Sequence, residues 1–287
     1  MTLKRKWVII GVKGGGDKLH IDLKRFFLSE NIEYFGALSA KDLRLTFPEL
    51  ALRDGIEPRS AIVYLVPYYG GETVNLSRYA AARDYHLYIR ELNNRLSEYL
   101  SSVLPGSSCK GYGDHSPIDE RHAALTLGLG VAGKNGLILN EKYGSYVFIG
   151  DMLTDIPPEY LSASAPRAIK PCIGCGKCIS ACPTGILGGK GEDCLSAITQ
   201  KKGELSEREI SLMRKYNTAW GCDECQITCP YNAEGVLSPI RFFLEDRIEE
   251  LSSATLASLD KAAFSSRAFA WHGRKTVERN IEILNRK

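Results

Sequence analysis

The sequence predicts an α+β protein. A strand-and-helix domain over residues 1–165 is followed by an inserted cysteine-dense domain over 166–244 and a helical tail over 245–287 that packs on the core. Three observations predict this. Runs such as WVIIGV and AIVYLVPYY consist of β-branched and aromatic residues and read as strands. From Ser77 to Leu104, Tyr79, Leu87, Ile89, Leu92, Leu96, Leu100 and Leu104 recur near helical spacing and stop at Pro105-Gly106. Finally, eight of the nine cysteines lie between Cys172 and Cys229.

The elements follow in order. WVIIGV is the first strand, and the glycine stretch GVKGGGDK behind it fits neither G-x-x-x-x-G-K-[ST] nor G-x-G-x-x-G, so it reads as a turn. The apolar start is too short for a signal-peptide core, and no run approaches the roughly 20 residues that span a bilayer. The expectation is a cytoplasmic, monomeric protein. A net charge of +3 over 287 residues is compatible with a nucleic-acid partner without arguing for one. After AIVYLVPYY and the long helix comes GDHSPIDERH, where Asp114 sits in a turn leading to a helix that begins near Ile118. An aspartate there can cap that helix. Gly128, Gly130, Gly133 and Gly136 form a glycine-rich connection that lets backbone approach a large flat ligand. GSYVFIGDMLT is a further strand.

Cytosolic cysteines are more often metal ligands than disulfides. Cys172, Cys175, Cys178 and Cys182-Pro183 read C-x2-C-x2-C-x3-C-P, the bacterial ferredoxin run for a [4Fe–4S] cluster, whose fourth cysteine serves a second cluster. GCDECQITCPYN supplies Cys222, Cys225 and Cys229, and Cys194 is the remaining donor. The assignment is Cys172, Cys175, Cys178 and Cys229 on one cluster, with Cys182, Cys194, Cys222 and Cys225 on the other. Zinc, the alternative, favours paired C-x2-C knuckles and does not need this run. Cys109 is left as an ordinary free thiol. Two clusters need an electron destination, and the long segment before them is where to seek it.

That segment resembles the epoxyqueuosine reductase family. The resemblance rests on Asp114, Pro117, Glu120 and Arg121 in a D-x-x-P-x-x-E-[RK] element, GLGVAGKN at 128–135, YGSYVFIG, and Thr154-Asp155. The ferredoxin run, the C-x-S of Cys194 and Ser196, GCDECQITCPYN and SRYAAARDYH complete it, in order, from about residue 60 to 232. It implies an α/β-type cobalamin-binding reductase domain joined to the two-cluster domain. Electrons would pass from the clusters to cobalamin, and epoxyqueuosine in tRNA would become queuosine, with Asp114 as proton donor. The cluster of Cys182, Cys194, Cys222 and Cys225 should lie nearer the cobalt. Arg78, Asp114, Lys134, Asn135, Ser196, Asp223 and backbone around Ile138 and Ile149 are the expected cobalamin contacts. DYH at 84–86 begins like D-x-H-x-x-G, but position 89 is Ile and a helix interior suits that loop poorly, so His86 is not expected to bind cobalt. His115 and His122 read as exposed residues near a helix start.

Three departures set alternatives. The chain reads as a short member without the family's C-terminal helical repeats, position 131 is Val131 where the family carries an aromatic, and residues 1–60 match loosely. Lys201, Lys202, Arg214, Lys215, Arg267, Arg274 and Lys275 are candidate phosphate contacts for tRNA, against the reading of a solvated surface. The competing functions are a cobalamin reductase of a small molecule, akin to reductive dehalogenases, and a non-catalytic two-cluster electron carrier. The electron donor is unidentified.

Overall fold

A computed structural model describes residues 20–161, 169–191 and 193–286. The expected strand WVIIGV, the glycine turn after it and the domain boundary at 165/166 lie outside the described residues. The first half holds α1 (Leu23–Ser29), β1 (Phe35–Ser39), α2 (Pro48–Arg53), β2 (Ser60–Pro67) and α3 (Tyr85–Val103). It continues with β3 (Cys109–Tyr112), α4 (Glu120–Thr126), β4 (Val131–Ala132), β5 (Ile138–Leu139) and β6 (Val147–Thr154). Strands β1, β2, β6 and β3 form, in that order, an antiparallel sheet. Both faces of β2 are covered, which is why its sequence is apolar without alternation. One face packs on α1 and α3 through Phe26, Phe27, Tyr64, Leu92 and Leu96, and the other on α4 through Val63, Leu65, Ala123, Ala124 and Leu153.

The long helix starts later than its apolar period predicts. Residues Arg78–Ala80 form a separate 3₁₀ turn, and Asp84 caps α3 by accepting the His86 N–H at 3.0 Å. Likewise α4 begins at Glu120 rather than Ile118, and its cap is Asp119, which accepts from the His122 N–H, so Asp114 is free of that duty. In the glycine-rich connection, Gly130 abuts Ile138 and Leu139 and so allows the β4–β5 ribbon to close on itself, whereas Gly136 faces open space.

The cysteine-dense part carries α5 (Lys177–Ser180), α6 (Leu195–Gln200), α7 (Glu207–Lys215) and α8 (Glu224–Ile227), and the tail carries α9 (Ser253–Ser258), α10 (Lys261–Ser265) and α11 (Arg274–Asn285). The tail is not a loose appendage. Leu256, Phe264, Phe269, Val277 and Ile281 bury Trp220 and Leu76 in one apolar cluster. Asn280 stitches the joint: fully buried, it donates to the carbonyls of Thr199 and Ala219, each at 2.7 Å. Asn280→Ala strands two carbonyls next to the cysteine segment and should cost about 3 kcal/mol, read as a fall of several degrees in thermal unfolding followed by circular dichroism. No described helix is long and apolar enough to cross a membrane.

Candidate functional site

The structure gathers the cysteines into two neighbourhoods. Cys172, Cys175, Cys178 and Cys229 line one small cavity of about 20 Å³. Burial pushes the Cys229 thiol up, and Cys178, Cys172 and Cys175 add to the effect. Burial pushes Cys222 to about 12, with Cys194 and Cys225 as neighbours acting on it. Cys225 is also pushed to about 12, by burial and then by Cys194, Asp223, Cys178 and Cys182. The last cysteine of the chain, Cys229, thus lines the same cavity as the first three of the ferredoxin run, while Cys194, Cys178 and Cys182 lie near Cys225.

This donor set suits iron–sulfur clusters. Clustered, partly buried thiols resist becoming thiolates on their own, and coordinated cationic iron would remove that cost. Backbone N–H groups are aimed at sulfur as well. Those of Gly174 and Lys134 hold Cys172 below the usual thiol value. Around Cys182, burial raises the thiol, but N–H groups of Leu187, Thr184 and Gly185 and the Thr184 hydroxyl bring it below its usual value. Gly174 and Gly176 take φ of +67° and +74°, a turn that wraps the loop around the first cavity. Among the described residues, no three His, Cys, Asp or Glu converge as ligands of a single metal ion.

A second, larger cleft of about 580 Å³ opens beside the second cysteine group. Its walls include Tyr68, Tyr79, Tyr85, Phe148 and Trp271, with Asp114 and His86 at one side. Gln226, which follows Cys225, and Gln200, at the end of the helix that Cys194 starts, line it too. Broad aromatic walls fit a flat macrocycle, and Tyr85 already lies against Phe148 at 3.9 Å and 11°. The Gln226 carboxamide is fixed by Tyr68 and Ser145, whose hydroxyls donate to it at 3.2 and 2.9 Å.

Asp114 stands at the mouth of the cleft, 69% exposed, rather than buried against a wall. The Tyr85 hydroxyl lies 3.5 Å from its Oδ2, and His86 Nε2 lies 4.0 Å from the same oxygen. Asp84 holds His86 through a 2.7 Å contact to Nδ1, and this hydrogen bond raises the imidazole above its usual value. His86 was expected inside a helix, but it occupies the first turn of α3 and faces the cleft. His115 and His122 are exposed, as expected.

The other expected contacts divide. Arg78 and Asp223 are buried together: Asp223 accepts the Arg78 N–H at 2.7 Å and the Ser77 hydroxyl, next to Cys222. Arg78 also pairs with Glu72, while its Nε is buried without a partner. Lys134 and Asn135 line the first cysteine cavity instead of the large cleft. Ile138 is buried in the core beside half-buried Ile149, and the cleft wall is made by Leu137, Val147 and Phe148 next to them. Ser196 accepts from Gln200 Nε2 at 3.2 Å, so it acts behind the wall. Val131 pairs with Leu139 in the ribbon and is not part of the cleft lining. Of the basic candidates, Arg267 is buried against Asp246, Arg274 binds the carbonyls of Leu256 and Leu259, Lys201 pairs with Asp193 and Glu209, and Arg214 donates to the Ile283 carbonyl. Lys215 lies over the Tyr216 ring, and exposed Lys202 and Lys275 remain for a partner.

Residues 171–232 match the family described as a 4Fe-4S double cluster binding domain. The chain is 31% identical over 259 residues to the epoxyqueuosine reductase of Listeria monocytogenes, covering 83% of this chain and 66% of that one. It is 37% identical over 165 residues to that of Escherichia coli, covering 55% of this chain and 41% of that protein. The chain therefore spans about two fifths to two thirds of the length of these curated relatives. The same fold occurs in a crystal structure of epoxyqueuosine reductase with a tRNA-Tyr epoxyqueuosine-modified stem loop. That match has a TM-score of 0.74 and 23% identity over 92% of this chain and 80% of the other.

Proposed function

We propose, from the premise that this chain belongs to the epoxyqueuosine reductase family, that it is a cytoplasmic oxidoreductase converting epoxyqueuosine in tRNA to queuosine. The observation that carries the reading is the juxtaposition of the second cysteine group with an aromatic cleft whose mouth holds Asp114, Tyr85 and His86. The reaction removes the epoxide oxygen as water, consuming two electrons and two protons and leaving a carbon–carbon double bond. Two [4Fe–4S] clusters and a cobalamin, when bound, supply the electrons.

Cys172, Cys175, Cys178 and Cys229 would hold one cluster, and Cys182, Cys194, Cys222 and Cys225 the other. The cleft walls formed by Tyr68, Tyr79, Phe148 and Gln226 would hold the corrin, and Ser196, Arg78 and Asp223 would support them from behind. Asp114 delivers a proton from Oδ2 to the departing oxygen. Tyr85 steadies that carboxyl by donating to it. His86, whose imidazole the Asp84 hydrogen bond holds above its usual value, stands within reach to supply the second proton or refill Asp114. Trp271, 65% exposed at the rim, and exposed Lys202 and Lys275 offer stacking and charge to an anticodon loop. We read residues 1–165 as the corrin-binding part, 166–244 as the cluster part and 245–287 as a buttress, within one monomer.

The test is nucleoside analysis of tRNA from an epoxyqueuosine-accumulating strain that expresses this chain. Queuosine is expected to appear. Persistence of epoxyqueuosine alone, with both clusters and cobalamin loaded, would refute the proposal and favour a small-molecule substrate.

A further inference from the structure

Asp151 is a fully buried carboxyl in the middle of the sheet, on β6, level with Val63 of β2 and Tyr112 of β3. An ionised carboxylate there would be expensive unless fully hydrogen-bonded. Its Oδ2 accepts the Ser116 hydroxyl at 3.0 Å, while Oδ1 has no donor apart from the neighbouring carboxyl of Glu120. Two carboxylates in contact cannot bond to each other; one must carry a proton. Burial raises Glu120 above the usual carboxylate range, with Asp151 adding to it, and burial raises Asp151 too. The other titratable groups facing the pair are Tyr64 on β2, Tyr85 on α3, Tyr112 on β3 and Asp114 itself, none of them a cation.

The pair grips the loop that presents Asp114 at both ends. Glu120 Oε1 accepts the Asp114 N–H at 3.2 Å, and Asp151 holds Ser116. Between these anchors, Asp114 and His115 both adopt left-handed backbone, with φ of +63° and +49°. Non-glycine residues take that conformation at a cost, and it persists only where surrounding contacts impose it.

We propose that Glu120 and Asp151 share one proton as a clamp on the 114–116 loop, which makes Glu120 a positioning residue for the acid. This deepens the reading of Asp114 as proton donor and rests on it. The sign of its pH dependence follows from the raised acids: the clamp holds at acidic and neutral pH and opens as rising pH strips the shared proton, leaving two buried anions side by side.

The experiment uses the full chain with its clusters, comparing wild type with Glu120→Gln and Glu120→Ala. A glutamine donates permanently to Asp151 and still accepts from Asp114, whereas alanine does neither. Infrared spectra at pH 7 with ¹³C-labelled glutamate or aspartate should show a protonated carboxyl in wild type that disappears in Glu120→Gln. Amide exchange at Asp114 and His115, corrected for intrinsic rates, should accelerate with pH in wild type, stay flat in Glu120→Gln, and be fast at every pH in Glu120→Ala. Turnover at pH 7 should survive in Glu120→Gln and fall by about 10²-fold in Glu120→Ala. Fully ionised carboxyls in wild type at pH 7, or unchanged loop exchange in Glu120→Ala, would overturn the clamp. Both readouts work without substrate, so they judge the clamp even if tRNA proves not to be the substrate.

Discussion

Asp114→Asn is expected to abolish conversion of epoxyqueuosine by about 10³-fold while leaving iron, cobalamin and fold untouched. The substitution is close to isosteric. The asparagine Oδ1 still accepts the His115 N–H, its Nδ2 can donate to the Tyr85 hydroxyl oxygen, and the backbone N–H still reaches Glu120, so the loop keeps its anchors. What is lost is a proton that can leave. The deficit should fall on kcat rather than KM, the pattern of an interaction made only as the oxygen departs. Iron and cobalamin content measured in the same preparation separates this from damage to the site. In wild type, the alkaline limb of activity should lie above the usual histidine range, because the Asp84 hydrogen bond keeps His86 protonated to higher pH. Turnover equal to wild type in the asparagine variant would remove Asp114 from the proton path.

A sequence reading locates the acid at Asp114 but does not reach its surroundings. The motif names the residue, but burial depends on the loop's left-handed turn and on two carboxyls packed beneath it, which no spacing rule encodes. His86 shows the same limit. The apolar period of α3 extends back through Tyr79, so sequence places His86 mid-helix, whereas Asp84 starts the helix and turns the imidazole toward the cleft. Periodicity reports which residues face the core, and capping decides where the helix begins. Strands β2 and β6 were legible because covered strands demand apolar runs. Lys134 and Asn135 were legible as a motif but not in their destination, since the β4–β5 ribbon turns them toward Cys172. Gln226 had a signal that went unused: an amide directly after a ligand cysteine. It is buried in a network with Tyr68, Ser145 and Asn232, and Asn232 follows Cys229 by three residues. That network ties the walls of both cysteine groups together.

The second large effect concerns the crossed wiring. Cys225→Ser should remove about half of the iron and reduce turnover by more than about 10²-fold, while Cys109→Ser changes neither. Cys225 lies at the start of α8, among Cys194, Cys178 and Cys182, and so stands between the two groups as well as inside the second. It is also the residue before Gln226 in the cleft wall, so losing the cluster it would hold should interrupt electron delivery toward the cleft. Cys109, by contrast, sits on β3 beside the Thr154 hydroxyl at 3.3 Å, where burial raises its thiol. The crossing makes a sharper claim than iron content alone. Cys229→Ser, although it is the cysteine nearest in sequence to the Cys222 and Cys225 pair, should disturb the cluster of Cys172, Cys175 and Cys178 and spare the other. Electron paramagnetic resonance of the reduced proteins reads this directly, because two adjacent reduced clusters couple and a single one does not. The two variants should therefore each leave one uncoupled signal, and the signals should differ. Identical residual spectra would mean that each run of cysteines closes its own cluster, and the crossed assignment would fall.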